Sequence, residues 1–274
     1  MGVSKDVMER LRRLEIPFNR FGVDRFGVSR KHLRRTLSVF AWFYRHYFRV
    51  NAVGIEHVPP RGRAMLIGNH SGGVAIDAAM VLVSLMMEMD PPRLGHSMAE
   101  KFISQVPFLA EWTNRCGQLS GLPEHATKLL EDDRLLLVFP EGAKGTAKLY
   151  RDRHSLVDFG TGFMRLALQT GTPIVPFAFL GGGEAIPTVH NAYGLGKLFG
   201  APYVPVTPYL LAFPLPVRLH ILYGEPLRFE GSGNEEDEVI LDYVNQTKER
   251  IAELIERGRK IRRGELTVSP EASS

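Results

Sequence analysis

A single cysteine, Cys116, stands in 274 residues, which excludes an intramolecular disulfide and fits a reducing compartment. A lone thiol outside any motif reads as a packed apolar residue. No stretch reaches the roughly 18 apolar residues that a spanning helix needs: AAMVLVSLMMEM is too short and YVPVTPYLLAFPLPV is broken by prolines. The first ten residues, MGVSKDVMER, hold no apolar signal core, and Asp6 occupies the place where a myristoylation signal has Ser or Thr. The nine histidines show no metal-ligand spacing, so no metal is expected. There is no internal repeat and no low-complexity linker. The sequence thus reads as a chain with neither signal peptide nor transmembrane helix.

What is present is enough apolar sequence, 44% of residues, for one large core, with a formal net charge of +4 that suits acidic partners. KHLRRTLSVFAWFYRHYFRV reads as an amphipathic helix. Leu33, Leu37, Phe40, Tyr44 and Tyr47 fall on one side, and Lys31, Arg34, Arg35, Arg45 and Arg49 on the other. AMLIGNH, RLLLVFPEG, TPIVPFAFL and VRLHILYGEPL read as strands, and RLGHSMAE as a further one. VAIDAAMVLVSLMMEM, EHATKLLED and FGTGFMRLALQTG read as helices between them. A last helix is expected to open at Asn234 and to carry Ile240, Val244, Thr247, Ile251 and Leu254 inward. Strands alternating with helices predict an α/β fold with a mixed, largely parallel sheet, flanked by helices and preceded by an amphipathic helical arm. The expected division is an arm over 1–50, a main domain over 51–260 and a disordered tail over 261–274.

LIGNHSGGVAID, residues 66–77, sets His70 at the end of a strand and Asp77 seven positions on. An imidazole at a sheet rim with a carboxylate to orient it makes a general base. Gly72 and Gly73 allow a tight turn and close approach of a ligand beside Ser71. Turn hydrogen bonds from Asn69 and His70, with Asp77 capping a helix, explain the same residues equally well. A second strand end, LLLVFPEGAKG, brings an acid, a glycine and a lysine, and strand ends of parallel sheets are where sites collect.

Taken in order, His70 with Asp77, then Phe139-Pro140-Glu141-Gly142, then GTPIVPFAF, the chain resembles the glycerolipid and lysophospholipid acyltransferase superfamily over roughly residues 50 to 225. The resemblance implies an acyl thioester donor, acyl-CoA or acyl carrier protein, and a lipid hydroxyl acceptor. It also implies His70 as general base, Asp77 as its orienter, and an acceptor pocket shaped by Glu141 and Gly142. Neither metal nor redox cofactor is implied. The chain departs from the family motif in having six rather than four residues between His and Asp. It also lacks the arginine that follows the glycine-led segment in which Gly117 matches. A phosphorylated acceptor would then be met by Lys144, Lys148, Arg151 or Arg153, and a neutral acylglycerol by none of them.

Two other classes compete. GHSMA, residues 95–99, approaches the nucleophile elbow of a serine hydrolase with Ser97, although MDPPRL leaves little strand before it and Ala99 stands for the last glycine. The third class is a lipid-binding relative without turnover. The basic arm suits an anionic membrane as well as nucleic acid, and with no recognised nucleic-acid module around it, no nucleic-acid partner is expected. The sequence therefore predicts a peripheral enzyme on the cytoplasmic side of a membrane.

Overall fold

The computed structural model describes residues 2–71, 76–99, 108–120, 122–198, 201–209 and 213–267. In chain order the strands are β1 (Asn51–Val53), β2 (Ala64–Gly68), β3 (Gly95–Ala99), β4 (Gln118–Ser120), β5 (Leu135–Val138), β6 (Ile174–Leu180), β7 (His190–Ala192), β8 (Val204–Val206) and β9 (His220–Tyr223). The helices are α1 (Gly2–Arg13), α2 (Arg30–Trp42), α3 (Ile76–Met87), α4 (Leu109–Arg115), α5 (Pro123–Glu131), α6 (Gly142–Thr146), α7 (Gly162–Thr170), α8 (Gly182–Ala185), α9 (Tyr193–Leu198) and α10 (Asp237–Arg262).

Seven strands form one sheet in the order β1-β9-β6-β2-β5-β3-β4, and β7 pairs with β8 apart from it. Strands β6, β2, β5, β3 and β4 are mutually parallel; β9 meets β6 antiparallel, and β1 runs with β9. The sheet is mixed and largely parallel, as the alternating periods predicted. Its central strands are continuous apolar runs because both faces are covered, and every residue of β2 and β6 is buried. Alternate side chains serve opposite layers. Leu66, Leu137 and Phe177 meet α1, α2 and α3, whereas Met65, Ile67, Leu136 and Ala178 meet α5, α7 and α10.

The N-terminal arm belongs to the first of these layers. Leu33, Leu37, Ala41 and Tyr44 are buried in the same cluster as Met80 and Leu85 of α3, so the apolar side faces protein. Two details differ from the sequence reading. The helix widens into a π-helical turn at Phe43–Tyr47, and one extra residue per turn rotates the inward stripe. Phe48 therefore takes the buried place, while Tyr47 is half-buried and Phe40 is exposed. The last helix opens at Asp237 and not at Asn234. The Glu235 carboxylate accepts from the Ser232 and Gly233 amides at 2.6 and 2.8 Å, a local turn that holds the chain out of the helix. Of the expected tail, Ile261 and Arg262 are the last residues of α10, and 268–274, half of it, lie outside the described residues.

Candidate active site

Parallel strands deliver their following loops to one rim, and β6, β2 and β5 do so side by side. After β2 ends, Asn69 substitutes its side chain for a rung of the ladder. Its Nδ2 donates to the Phe179 carbonyl at 3.1 Å and its Oδ1 accepts from the Phe179 amide at 2.8 Å. His70 leaves the sheet from this pinned point. Its Nδ1 donates to Asp77 Oδ2 at 2.9 Å, and Asp77 sits in the first turn of α3. The same carboxylate accepts from the Ser71 amide at 3.2 Å and the Ala78 amide at 2.8 Å. The Asp77 carboxylate thus holds the ring edge and two backbone donors near the start of the helix, while Asn69 bonds across the sheet and not within a turn.

The imidazole is held on its face as well as its edge. Phe139, one residue past β5, stacks on it with ring centroids 3.9 Å apart and planes inclined by 12°. His70 is left 7% exposed and Asp77 1%.

Beyond Phe139 the chain turns through Glu141 into α6, and Gly142 takes φ +55°, a conformation that a side chain strains. The turn buries the Glu141 carboxylate against Lys148, and Lys148 Nζ also donates to the His70 carbonyl at 2.8 Å. Burial pushes the Glu141 carboxyl up and the Lys148 ammonium down, and the ion pair opposes both displacements. Removing one partner of so dry a pair typically costs roughly 3–5 kcal/mol, so Lys148 is a strut of the site. Gly145 lets α6 cross here: a Cβ on it would stand 2.6 Å from the Glu141 Cβ and 2.9 Å from the His70 Cβ.

A sequence model of the family described as Acyltransferase matches residues 49–180. An uncharacterised protein of Mycobacterium tuberculosis (strain ATCC 25618 / H37Rv) is 31% identical over 249 residues, covering 86% of this chain and 69% of that one. A chicken (Gallus gallus) protein described as a DGAT1/2-independent enzyme synthesizing storage lipids is 25% identical over 210 residues, covering 76% of this chain and 59% of its own. The crystal structure of the 1-acyl-sn-glycerophosphate acyltransferase PlsC from Thermotoga maritima superposes with a TM-score of 0.55 at 15% identity, covering 84% and 78% of the two chains. The chain belongs to the glycerolipid acyltransferase superfamily. Membership supports an acyl-transfer activity, and the last comparison supports the fold.

In this acyltransferase the expected site residues separate into two groups. His70, Asp77, Glu141, Gly142 and Lys148 converge at the ends of β2 and β5. Ser71 is buried beside them, its Oγ without a hydrogen-bond partner among the described residues and closed off by Gly182. Lys144 is exposed on α6, and the Arg151 side chain is 79% exposed and pairs with its neighbour Asp152. Arg153 turns away to Glu184 at 3.3 Å. The four cations are therefore not gathered around one substrate group. Gly72 and Gly73 lie outside the described residues.

Ser97 is buried within β3, paired with Leu137 on one side and Gln118 on the other, and among the described residues no strand-to-helix elbow exposes its hydroxyl. The sequence reading missed three parts of the acyltransferase that position His70: Asn69 bonded across the sheet, Gly145 beside it and the Phe139 ring stacked on it. Asn69 as a rung and Gly145 as a clearance carry no local signal, whereas the aromatic of the Phe-Pro-Glu-Gly motif offered one for the stacking ring.

Proposed function

We propose that the chain moves a fatty acyl group from a thioester, acyl-CoA or acyl carrier protein, to the hydroxyl of a glycerolipid at a membrane surface, with His70 as general base. The observation that carries this reading is the 2.9 Å bond from His70 Nδ1 to Asp77 at the strand rim. With Nδ1 engaged, Nε2 is the nitrogen for an acceptor hydroxyl. The hydroxyl oxygen attacks the thioester carbonyl as its proton passes to Nε2. The tetrahedral intermediate then expels the thiolate, which takes the proton back from the imidazolium. Asp77 supports the ring while it is charged, and the Phe139 face keeps it from rotating. A positioned base of this kind contributes roughly 10² to 10⁴ in rate, and alignment of two bound substrates supplies a further share.

Incubation of the purified chain with labelled acyl-CoA and a panel of lysophosphatidate, glycerol phosphate, lysophospholipids, monoacylglycerol and diacylglycerol tests this reading. Labelled lipid supports it and names the acceptor class. Release of free acid alone favours a hydrolase, and no turnover on any member favours a lipid-binding relative.

The apolar side of the arm is docked on the layer that contains α3, so attachment to a membrane would rest on its outward, basic side. Among the described residues, no helix is long and apolar enough to cross a membrane. The candidate surface is the outward side of α2, where Val39, Phe40 and Trp42 are exposed near Arg34 and Arg35. Phe213, 59% exposed, stands 6.2 Å from the Tyr47 ring and extends it. A basic residue near an anionic surface contributes about 1 kcal/mol. Cosedimentation with anionic but not neutral vesicles, lost in Arg34→Glu/Arg35→Glu, is the expected result; equal recovery in the supernatant with and without anionic vesicles refutes attachment.

A further inference from the structure

The segment around Arg153 and the last turns of α10 flank an open cavity of about 320 Å³ lined by Arg153, His154, Glu184, Arg259, Arg262 and Arg263. A second hollow of about 510 Å³ shares His154 and Arg259 with it and adds Lys248, Glu249 and Glu256. Both are in the range of small-ligand sites. Glu184 is shared by Arg262 at 3.1 Å, Arg153 at 3.3 Å and His154 at 3.7 Å. Yet Arg153 Nε, Arg262 Nη1 and Glu184 Oε2 have no hydrogen-bond partner among the described residues although each atom is buried. Arg153 spends Nη1 on the Tyr150 carbonyl at 2.8 Å, while its Nε and Arg262 Nη1 meet Glu184 by charge and not by directed bonds, so those donors are unspent.

Two further carboxylates, Glu256 and Glu265, pair with Arg259 and Arg263, and their side chains are 47% and 51% exposed. Four guanidinium groups thus meet three carboxylates, two of them half in solvent. His154 is held below the usual imidazole range by burial first and then by Arg153, Arg259 and Arg262 against the opposing pull of Glu184, all of which line the same cavity. The cavity backs onto the candidate active site. A Cβ on Gly183 would stand 2.5 Å from the Arg153 Cβ and 3.1 Å from the Ser71 carbonyl oxygen, so one glycine backbone separates Arg153 from the residue after His70.

We propose that this cavity is an anion site that takes a phosphate group of a phosphorylated ligand, with Arg153, Arg259 and Arg262 as donors and Glu184 as the internal counter-ion that holds them before the ligand arrives. Planar guanidinium forks match phosphate oxygens in geometry as well as charge. The source of the phosphate, the nucleotide end of a thioester donor or the head group of a phosphorylated acceptor, rests on the acyl-transfer reading; binding of the anion does not.

The test is calorimetric titration of the full chain, in phosphate-free buffer of low ionic strength, with inorganic phosphate, coenzyme A and glycerol 3-phosphate. Arg262→Gln and Arg259→Ala are each expected to weaken binding about tenfold or more. Arg257→Ala removes the same charge from the same helix on the side that faces His57 and Tyr223, and it is expected to leave binding unchanged. Arginine-dependent binding of any of the three probes supports the site; preference for coenzyme A assigns it to the donor and preference for glycerol 3-phosphate to the acceptor. An equal loss in Arg257→Ala reduces the effect to diffuse charge and overturns the proposal, as does failure of all three probes to bind at millimolar concentration. Circular dichroism melts of each variant separate lost binding from lost fold. Titration needs no turnover, so a chain that binds through these arginines but transfers no acyl group refutes the acyl-transfer reading and leaves the site standing.

Discussion

Two histidines on neighbouring parts of the sheet, His70 past the end of β2 and His96 within β3, differ in the partner that each ring meets. His96 is fully buried and its Nδ1 donates to the Gly117 carbonyl at 3.1 Å. Burial and the Arg134 charge push it down to about 3. A carbonyl holds a neutral imidazole well but gives a charged one little to lean on. His70 donates to a carboxylate, which does support the imidazolium that base catalysis creates. The two histidines differ in that partner and in the strand-end position of His70, since both are largely buried.

The widest gap between the two is expected in catalysis. His70→Ala should lower the rate of transfer by roughly 10² to 10⁴, and Asp77→Asn by less, because it disturbs the ring's orientation and leaves the base in place. Single-turnover assays of both variants, with thermal melts to confirm the fold, measure this; an active His70→Ala or a fully active Asp77→Asn breaks the comparison.

A smaller effect concerns stability in acid. His96 stays neutral in the folded chain but protonates in the unfolded one below its ordinary 6.5, so the unfolded state binds the extra proton and stability falls as pH drops. The loss approaches about 1.4 kcal/mol per pH unit between about 6.5 and 3. Melting curves across that window should show a shallower acid dependence in His96→Gln than in the unsubstituted chain; equal slopes would mean that His96 titrates alike in both states. The smallest effect is expected at Ser97, whose place within β3 gives it no role in the chemistry: Ser97→Ala should retain transfer within about twofold, in line with the modest cost of changes away from a site. An inactive Ser97→Ala would reinstate the hydrolase.

Much of this arrangement was legible in the sequence because buried parallel strands write themselves as unbroken apolar runs. AMLIG, LLLV and IVPFAFL became the three central neighbours β2, β5 and β6, and their ends carried the motifs. What could not be read were relations between segments. Lys148 looks like one more loop cation until its burial against Glu141 and the His70 carbonyl is seen. The inward stripe of the arm was legible at Leu33 and Leu37 but not at Tyr47, because a π-helical turn changes the period without a marker in the sequence. Arg262 of α10 meets Glu184 only through the packing of segments far apart in the chain, a relation that no local pattern announces.

The His70–Asp77 bond has a consequence for chain length. One end of the intervening segment is pinned by Asn69 on β6 and the other by the start of α3, so the bond is set by two rigid anchors and the segment has only to close the gap. In polymer terms, closing eight residues in place of six adds about 0.3 kcal/mol of loop entropy, a sum that a single charge-assisted hydrogen bond exceeds several times over. The count of residues between base and orienter is therefore weakly constrained by energy, and a search that demands a fixed spacing will pass over chains in which the same pair is intact.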